Sequence, residues 1–564
     1  MNDSLEIARA LEEIAVLAAL SGENAFKVRA YERGARVVAD LGERLLPTLE
    51  AGELTSIEGI GETLARQVAE LVGTGRSSYL ERLRAQHPPG AVALARIPGL
   101  TIRRIRALHD GLGIESVDEL REACLAQRVR TLKGLGPKTE ARLLAAIDEA
   151  ARPAAPKRML LLDARALAER TGKLLVSGGV ASQVLAAGAV RRCEETIAQI
   201  ELVVVTSDSE AVWQRVLRMP WVTKLDRASG IASTTQGVAL ALRFASADSA
   251  GHTLLTATGP VRHVQALHER ATARGSSLSV LAGAILDACA GERAIYAALD
   301  IPYVPPEVRG SRDDLDPRGY ADLLASEHIT GMVHCHTLYS DGRDDIEAMA
   351  RAAEARGMQF ITITDHSPSA HYAGGVTLDR LHAQWDEIAR VQEKVKVRIL
   401  RGTESDITAE GALDYPDDVL ERFDVIIASI HVRHRMDRAQ MTERLVRALS
   451  TPIFKIWGHA LGRILLSREP FECDMPVVLD ALARSRGAIE LNADPHRLDL
   501  PPEWIPHARE RGIPFVVSVD AHSTDGLGVY ELGVQMARRG GLRRQEVLNT
   551  LGADEFTAKV KPVA

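Results

Sequence analysis

The spacing of apolar positions outlines this chain before any motif does. Over residues 1–150 they recur three and four apart, as at Ile7, Leu11, Ile14, Ala15 and Leu17, the period of a helix with one buried stripe. Glycine-containing turns interrupt the pattern, so this region is predicted to be a set of short helices. The stretch Ala150-Ala151-Arg152-Pro153-Ala154-Ala155-Pro156 reads as a linker. From 157 to 310 helical periodicity mixes with short β-rich runs such as Leu202-Val203-Val204-Val205. Pro302, Pro305 and Pro306 then prevent a regular helix and mark a second boundary. Over 328–564 the pattern becomes strand–helix alternation. Phe360-Ile361-Thr362-Ile363-Thr364, Val425-Ile426-Ile427-Ala428-Ser429-Ile430 and Phe515-Val516-Val517-Ser518-Val519 read as buried strands. Amphipathic helices between them argue for parallel strands in an α/β barrel. The expected fold class is therefore multidomain, helical at the N-terminus and α/β at the C-terminus.

Composition narrows the picture. At 564 residues the chain is too long for one core. Apolar content of 46% and charged content of 26% are ordinary for a soluble globular protein. A formal charge of −7 does not advertise nucleic-acid binding, so such contacts must come from local basic patches or backbone amides. Five scattered cysteines form no Cys-x-x-Cys, which speaks against a disulfide framework and for a reducing compartment. The N-terminus lacks a signal-peptide core, and no charge-free apolar run approaches about 18 residues. The expectation is a cytoplasmic protein with no membrane partner.

The candidate chemistry lies in the barrel region. His334 and His336 open it as His-Cys-His, followed by Asp341 in Ser-Asp-Gly, His366, Glu404, His431, His459, and Asp520 with His522 in Asp-Ala-His. Imidazole and carboxylate are the ligand types that hold Zn²⁺, Mn²⁺ or Fe²⁺ at hydrolytic centres. His366, His431 and Asp520 each follow an apolar strand run, and C-terminal strand ends of α/β barrels converge on one face. His334 and His336 share a strand face because side chains alternate with period two. One such histidine alone is more often a hydrogen-bonded structural residue; the full set points to one bowl.

On these residues, the segment from about 328 to 560 resembles the PHP (polymerase and histidinol phosphatase) domain, supported by Glu404-Ser405-Asp406, Gly458-His459, Gly462-Arg463, Glu490-Leu491-Asn492 and Asp520-Ala521-His522-Ser523. The resemblance implies a distorted seven-stranded β/α barrel. It also implies that all nine side chains ligate three divalent ions, Mn²⁺ or Zn²⁺ with Fe²⁺ an alternative, for a phosphoesterase reaction. Arg463, His434, Asn492 and Arg497 are expected behind the ligands or at the phosphate, with Arg463 and His434 the catalytic candidates. A surface salt bridge or loop hydrogen bond is the alternative at each.

The N-terminal region carries three segments that look like helix-hairpin-helix elements. They are Ile57-Glu58-Gly59-Ile60-Gly61, Ile97-Pro98-Gly99-Leu100-Thr101 and Leu132-Lys133-Gly134-Leu135-Gly136-Pro137-Lys138. Paired glycines let backbone approach a phosphate closely. The next helix presents free N–H groups and its positive dipole end. Gly59, Gly61, Gly134, Gly136 and Lys138 are therefore DNA-contact candidates. The second segment has Thr101 where a glycine is expected, so a purely structural role is its alternative. A basic helix with Lys27, Arg29, Arg33 and Arg36 could hold a DNA 5′-phosphate or be a solvated face.

Helical hairpins, a mixed α/β region and a PHP region in that order resemble bacterial family X DNA polymerases over nearly the whole chain. The middle match runs through Gly188-Ala189-Val190-Arg191-Arg192-Cys193-Glu194-Glu195-Thr196, Thr258-Gly259-Pro260 and Pro305-Pro306-Glu307-Val308-Arg309. It implies a nucleotidyltransferase-like palm/thumb region over 157–310. Family polymerases read Gly-Ser where this chain has Gly188-Ala189. They also carry Asp-x-Asp where it has Gln199-Ile200-Glu201, and a third Asp where Ala241 falls. Nucleotidyl transfer needs carboxylates bridging two Mg²⁺ ions, so the expectation is a degenerate polymerase region. The leading expected activity is 3′→5′ exonuclease or other DNA-end processing in repair, on gapped or nicked duplex with a free 3′ end. An active repair polymerase with PHP proofreading, a small-molecule phosphatase and a non-catalytic DNA adaptor are the alternatives.

Overall fold

A computed structural model describes residues 4–41, 45–57, 59–88, 90–151, 156–283, 285–310, 315–316 and 318–562. Glu58 of the first hairpin and residues 152–155 of the expected linker lie outside the described residues. The chain divides into two compact units, Met1–Ala155 and Pro156–Ala564. The expected boundary near 310–328 therefore falls inside the second unit.

The first unit is helical. Ile7, Leu11, Ile14, Ala15 and Leu17 lie on one face of the helix Ser4–Leu20 and are all buried in its core. The three hairpins share one backbone form. In each, the fourth residue donates its N–H to the first residue's carbonyl: Ile60 to Ile57 at 3.0 Å, Leu100 to Ile97 at 3.0 Å and Leu135 to Leu132 at 3.1 Å. That residue is buried in all three, while the glycine before it is left-handed, with φ of +99° at Gly59, +84° at Gly99 and +86° at Gly134. The second hairpin thus keeps the geometry despite Thr101. The reason is that this position caps the next helix at φ −77°, as Gly61 does at −84°, and any residue adopts that conformation.

Besides a two-stranded pair, Met159–Leu160 with Thr196–Ile197, the second unit holds two larger sheets. The first runs in spatial order Gln183–Ala187, Gln199–Val205, Ala239–Ala245, Ile231–Thr234, Val222–Asp226. Its central pair is parallel and places Glu201 opposite Ala241. The other sheet has seven parallel strands in sequence order: Gly331–Cys335, Phe360–Ile363, Arg398–Asp406, Val425–Ser429, Lys455–Trp457, Gly487–Asn492 and Phe515–Ser518. First and last meet through Val519 N–H to Val333 O at 3.0 Å and His336 N–H to Ala521 O at 2.8 Å, which closes the barrel.

Strand alternation sorts the barrel interior into layers. Val333, Phe360, Leu400, Val425, Ile427, Ile456, Ala488 and Val516 make an apolar floor with Phe556 and Val560 of the helix Ala553–Val560. Two or four residues further on, along or just past four of these strands, come Glu404, His431, Glu490, Asn492 and Asp520, so these four lead from an apolar floor residue to a polar one. The first strand needs a correction to this phase. A β-bulge between Met332 and Cys335 inserts one residue against its neighbour, and His334 there has φ +67°. The bulge lets Val333 join the floor while His334 and His336 both face the bowl.

Candidate metal centre and nucleic-acid interface

All nine candidate side chains come together at the C-terminal mouth of the barrel. Three overlapping groups have potential ligand atoms within 4.8 Å of one another: His336, Asp341, His366 and His522; His334, His336 and Asp520; and His366, Glu404 and His431. His459 joins them through Nε2, 2.8 Å from Glu404 Oε1. Glu404 is the hub, with one oxygen 2.9 Å from His366 Nδ1 and the other 3.2 Å from His431 Nε2. Asp520 Oδ1 lies 3.3 Å from His336 Nε2 and 3.6 Å from His334 Nε2. Asp341 spans the other side, 3.6 Å from His366 and 3.4 Å from His522. His334, His336, Glu404 and His459 are buried, whereas the side chains of Asp341 and His522 are about a third exposed and form the open side.

Several buried imidazole nitrogens find no hydrogen-bond partner: His334 Nε2, both nitrogens of His336, and Nδ1 of His366, His431 and His459. Buried polar atoms are nearly always satisfied, so this concentration of orphans facing three carboxylates fits a set of divalent ions. The backbone agrees. His334, His459 and Asp520 are held at φ +67°, +23° and +49°, a conformation costing on the order of 1–3 kcal/mol each that persists where surroundings over-determine it.

The electrostatics follow from this crowding. Burial opposes ionisation of Glu404, but His431, His366 and His334 outweigh it and hold the carboxyl well below the usual range. Asp520 is held low in the same way by His334, His336 and Arg497. Burial likewise opposes charge on His366, yet Glu404 and Asp341 raise it to about 10. His336 goes the other way: burial and the His366, His522 and His334 rings push it below the ordinary histidine range, which favours the neutral ring with one nitrogen lone pair.

Supporting residues lie one layer back. Glu490 Oε1 is 2.5 Å from His334 Nδ1, and its other oxygen accepts from the His459 N–H and from Asn492 Nδ2 at 3.1 Å. Asn492 also donates to Asp520 at 3.0 Å. Asp365 accepts from the Thr337 N–H and hydroxyl, both at 2.7 Å, from Ser340 Oγ at 2.6 Å and from Gln384 Nε2 at 2.7 Å, which fixes the loop carrying Asp341. Residue type alone gave no role to Glu490 or Asp365. Glu490 stood in the sequence only as part of the Glu490-Leu491-Asn492 match to the PHP domain, and Asp365 only as the residue before His366.

Arg497, expected near phosphate, lies with Nε 3.3 Å from Asp520, and its buried Nη1 has no partner. The two catalytic candidates fall elsewhere. Arg463 is turned away from the bowl, donating to the carbonyls of Arg497 and Leu498 and to Glu195 at 3.3 Å. It is a strut under the Arg497 loop. His434 is exposed on a loop at φ +51°, and among the described residues it forms no hydrogen bond or ion pair with any of the nine.

In the middle region, Gln199 and Glu201 share a strand face, and Gln199 Nε2 donates to Glu201 Oε1 at 3.1 Å. Ala241 adds a buried methyl. Arg191 is bound to the buried Glu292, which also takes Arg309 at 2.7 Å and the Tyr303 hydroxyl at 3.0 Å.

In the first unit, Gly61, Gly134 and Gly136 have open space where a Cβ would lie, and Lys133 and Lys138 are exposed beside the third hairpin. Gly59 differs, because Arg33 and Val37 pack against its Cβ position. The Lys27 ammonium is paired with Glu23 at 2.7 Å and sits over the Tyr79 ring. Arg29 is exposed, donates to Ala25 O and lies over Phe26. No described helix is long and apolar enough to cross a membrane.

Comparison with known proteins agrees with this layout. Residues 2–77 match a helix-hairpin-helix domain, residues 91–149 a SAM-like helix-hairpin-helix tandem, and residues 333–493 the PHP domain. A protein named "DNA polymerase/3'-5' exonuclease PolX" from Bacillus subtilis (strain 168) is 32% identical over 571 residues, covering 99% of this chain and 99% of that protein. A "Probable phosphatase" of Thermoanaerobacter sp. (strain X514) is 26% identical over 231 residues, 38% of this chain and 89% of that protein. Another, from Caldanaerobacter subterraneus, is 28% identical over 229 residues, 38% of this chain and 85% of that protein.

Proposed function

The chain belongs to the family of DNA polymerase/3′–5′ exonucleases represented by PolX, and from that membership we propose that it is a divalent-metal-dependent DNA phosphodiesterase. It removes nucleotides 3′→5′ from DNA ends in repair, and its polymerase-like region no longer adds them. The observation that carries the reading is the convergence of nine His, Asp and Glu side chains, with six buried imidazole nitrogens that have no hydrogen-bond partner.

In this reading the nine side chains are the ligands of the ions. When bound, such ions activate water at neutral pH and neutralise charge developing around phosphorus. The protein supplies the rest. Glu490 accepts a hydrogen bond from His334 Nδ1–H, which leaves Nε2 unprotonated toward the bowl. Arg497 offers its spare Nη1 to a non-bridging phosphate oxygen beside Asp520. The half-exposed Asp341 and His522 mark the side from which a 3′ end enters. The hairpins hold the duplex backbone without reading its sequence.

Loss of nucleotide addition is supported by chemistry in the middle region. An amide, one carboxylate and a methyl stand where two Mg²⁺ ions need bridging carboxylates. Glu292 already neutralises Arg191.

Replacing His334 and His336 with alanine is the direct test: oligonucleotide cleavage is lost while duplex binding is kept, and unchanged cleavage rejects the assignment. Robust primer extension by the wild-type chain would reject the inactive-polymerase part. Faster turnover of small phosphate monoesters than of oligonucleotides would favour a small-molecule phosphatase instead.

A further inference from the structure

Most buried or half-buried arginines of the second unit have a carboxylate partner. Arg191 and Arg309 pair with Glu292, Arg463 and Arg539 with Glu195, and Arg538 with Glu307. Arg444 has none, but the carbonyls of Thr408, Val432 and Ile407 occupy its Nε, Nη1 and Nη2. The half-buried Arg433 fits neither pattern, and its spatial neighbour Arg468 is exposed.

Both guanidiniums converge on one acceptor, the Gly462 carbonyl, with Arg433 Nη2 at 2.8 Å and Arg468 Nε at 3.1 Å. Arg433 Nη2 also donates to the backbone carbonyl of Glu469 at 2.8 Å, and the guanidinium lies over the Phe471 ring. Among the described residues no carboxylate lies within 4.0 Å of either group. Among the described residues, no hydrogen-bond partner meets the remaining donors, Nε and Nη1 of Arg433 and both Nη of Arg468. Two like charges on one neutral oxygen repel each other. Burial, then Arg433 and Arg497, hold the Arg468 guanidinium below the usual arginine range.

This pair sits against the bowl. Arg433 follows His431 by two residues, so their Cα atoms are at most about 7 Å apart. Gly462 is in the turn that leaves His459, its N–H donating to the His459 carbonyl at 2.7 Å. The shared carbonyl therefore links the loops of two candidate ligands. Planar guanidiniums with spare N–H groups match phosphate oxygens.

We propose that Arg433 and Arg468 form a second anion subsite beside the metal bowl, which receives the backbone phosphate next to the scissile one and makes the site select polynucleotides over small phosphate esters. The inference rests on the phosphodiesterase reading given above. A small ester has one phosphate and cannot use the subsite; an oligonucleotide fills both positions.

The test compares the full-length wild type with the double variants Arg433→Ala/Arg468→Ala and Arg433→Lys/Arg468→Lys. The first readout is binding of a non-cleavable phosphorothioate pentathymidylate across a salt series. Losing one phosphate contact should lower the steepness of log K against log salt by about 0.7 for a single strand. The second is hydrolysis with Mn²⁺. The alanine pair should raise the oligonucleotide KM about tenfold, with kcat and turnover of bis-p-nitrophenyl phosphate within twofold of wild type. The lysine pair should restore the salt slope and part of the affinity. An unchanged slope and KM overturn the subsite, as does an equal loss on the small ester. If the wild type cleaves nothing with any metal, the phosphodiesterase reading fails, and the salt slope still decides whether the two arginines bind a phosphate.

Discussion

Glu490→Gln should cripple the metal centre without removing any candidate ligand. Glu490 is fully buried and accepts from three donors: His334 Nδ1–H, the His459 N–H and the Asn492 amide. A glutamine has nearly the same shape but only one acceptor oxygen. In either orientation its NH₂ must face a donor, His334 on one side or His459 and Asn492 on the other. A buried donor left unsatisfied costs about 1–3 kcal/mol, and that sets the expected loss of stability. If the NH₂ faces His334, the ring must accept at Nδ1 and carry its proton on Nε2, the atom that points between Glu404 and Asp520. Metal and proton then compete for one lone pair. Loss of a carboxylate behind a ligating histidine typically reduces metal affinity about 10–100-fold, which is roughly 1.4–2.8 kcal/mol at 1.4 kcal/mol per decade. Titration calorimetry with Mn²⁺ measures the affinity and thermal unfolding of the chelated protein measures the stability term. An affinity within twofold of wild type would show that Glu490 does not set the His334 tautomer.

Three further outcomes are expected. Metal affinity should rise with pH, because His334, His366, His431 and His522 have raised proton affinity, His366 to about 10, and shed protons as ions bind. Calorimetry at pH 7 in buffers of different ionisation enthalpy should detect about one or more protons released, and zero release contradicts the ligand set. Glu195→Gln should destabilise the second unit by roughly 3 kcal/mol, since it uncouples Arg463 and Arg539, whose side chains are only 11% and 20% exposed; a change below about 0.5 kcal/mol in denaturant unfolding would contradict this. Gly134→Ala should lose about 1–2 kcal/mol through its φ of +86° alone, because a Cβ there meets nothing, whereas Gly136→Ala should be near neutral for folding yet weaken duplex binding. Equal stability of the two variants would refute the strain argument.

Much of the architecture was written in local pattern. The three- and four-residue spacing of Ile7, Leu11, Ile14 and Leu17 marks a buried helix face wherever that helix packs. The β-rich runs at 360, 425 and 515 became parallel barrel strands because only burial on both faces tolerates such continuous apolar sequence. The nine polar residues were legible because each sits at or just beyond a strand, and a closed barrel leaves their side chains one place to go.

The long charged side chains were not legible. Lys27 and Arg463 look the same in sequence as Arg433, Arg468 and Arg497. Yet Lys27 is neutralised by Glu23, Arg463 by a residue 268 positions away, and the other three keep donors to spare. An arginine's partner lies anywhere its reach allows, and only packing selects it. The bulge at His334 belongs to the same class, since one extra residue against the neighbouring strand decides which face Val333 and His334 share. Periodicity is a property of consecutive residues, so the sequence alone determined the elements and the ligand types. Register, charge pairing and the direction of each long side chain depend on residues distant in the chain, so only the tertiary structure decided them.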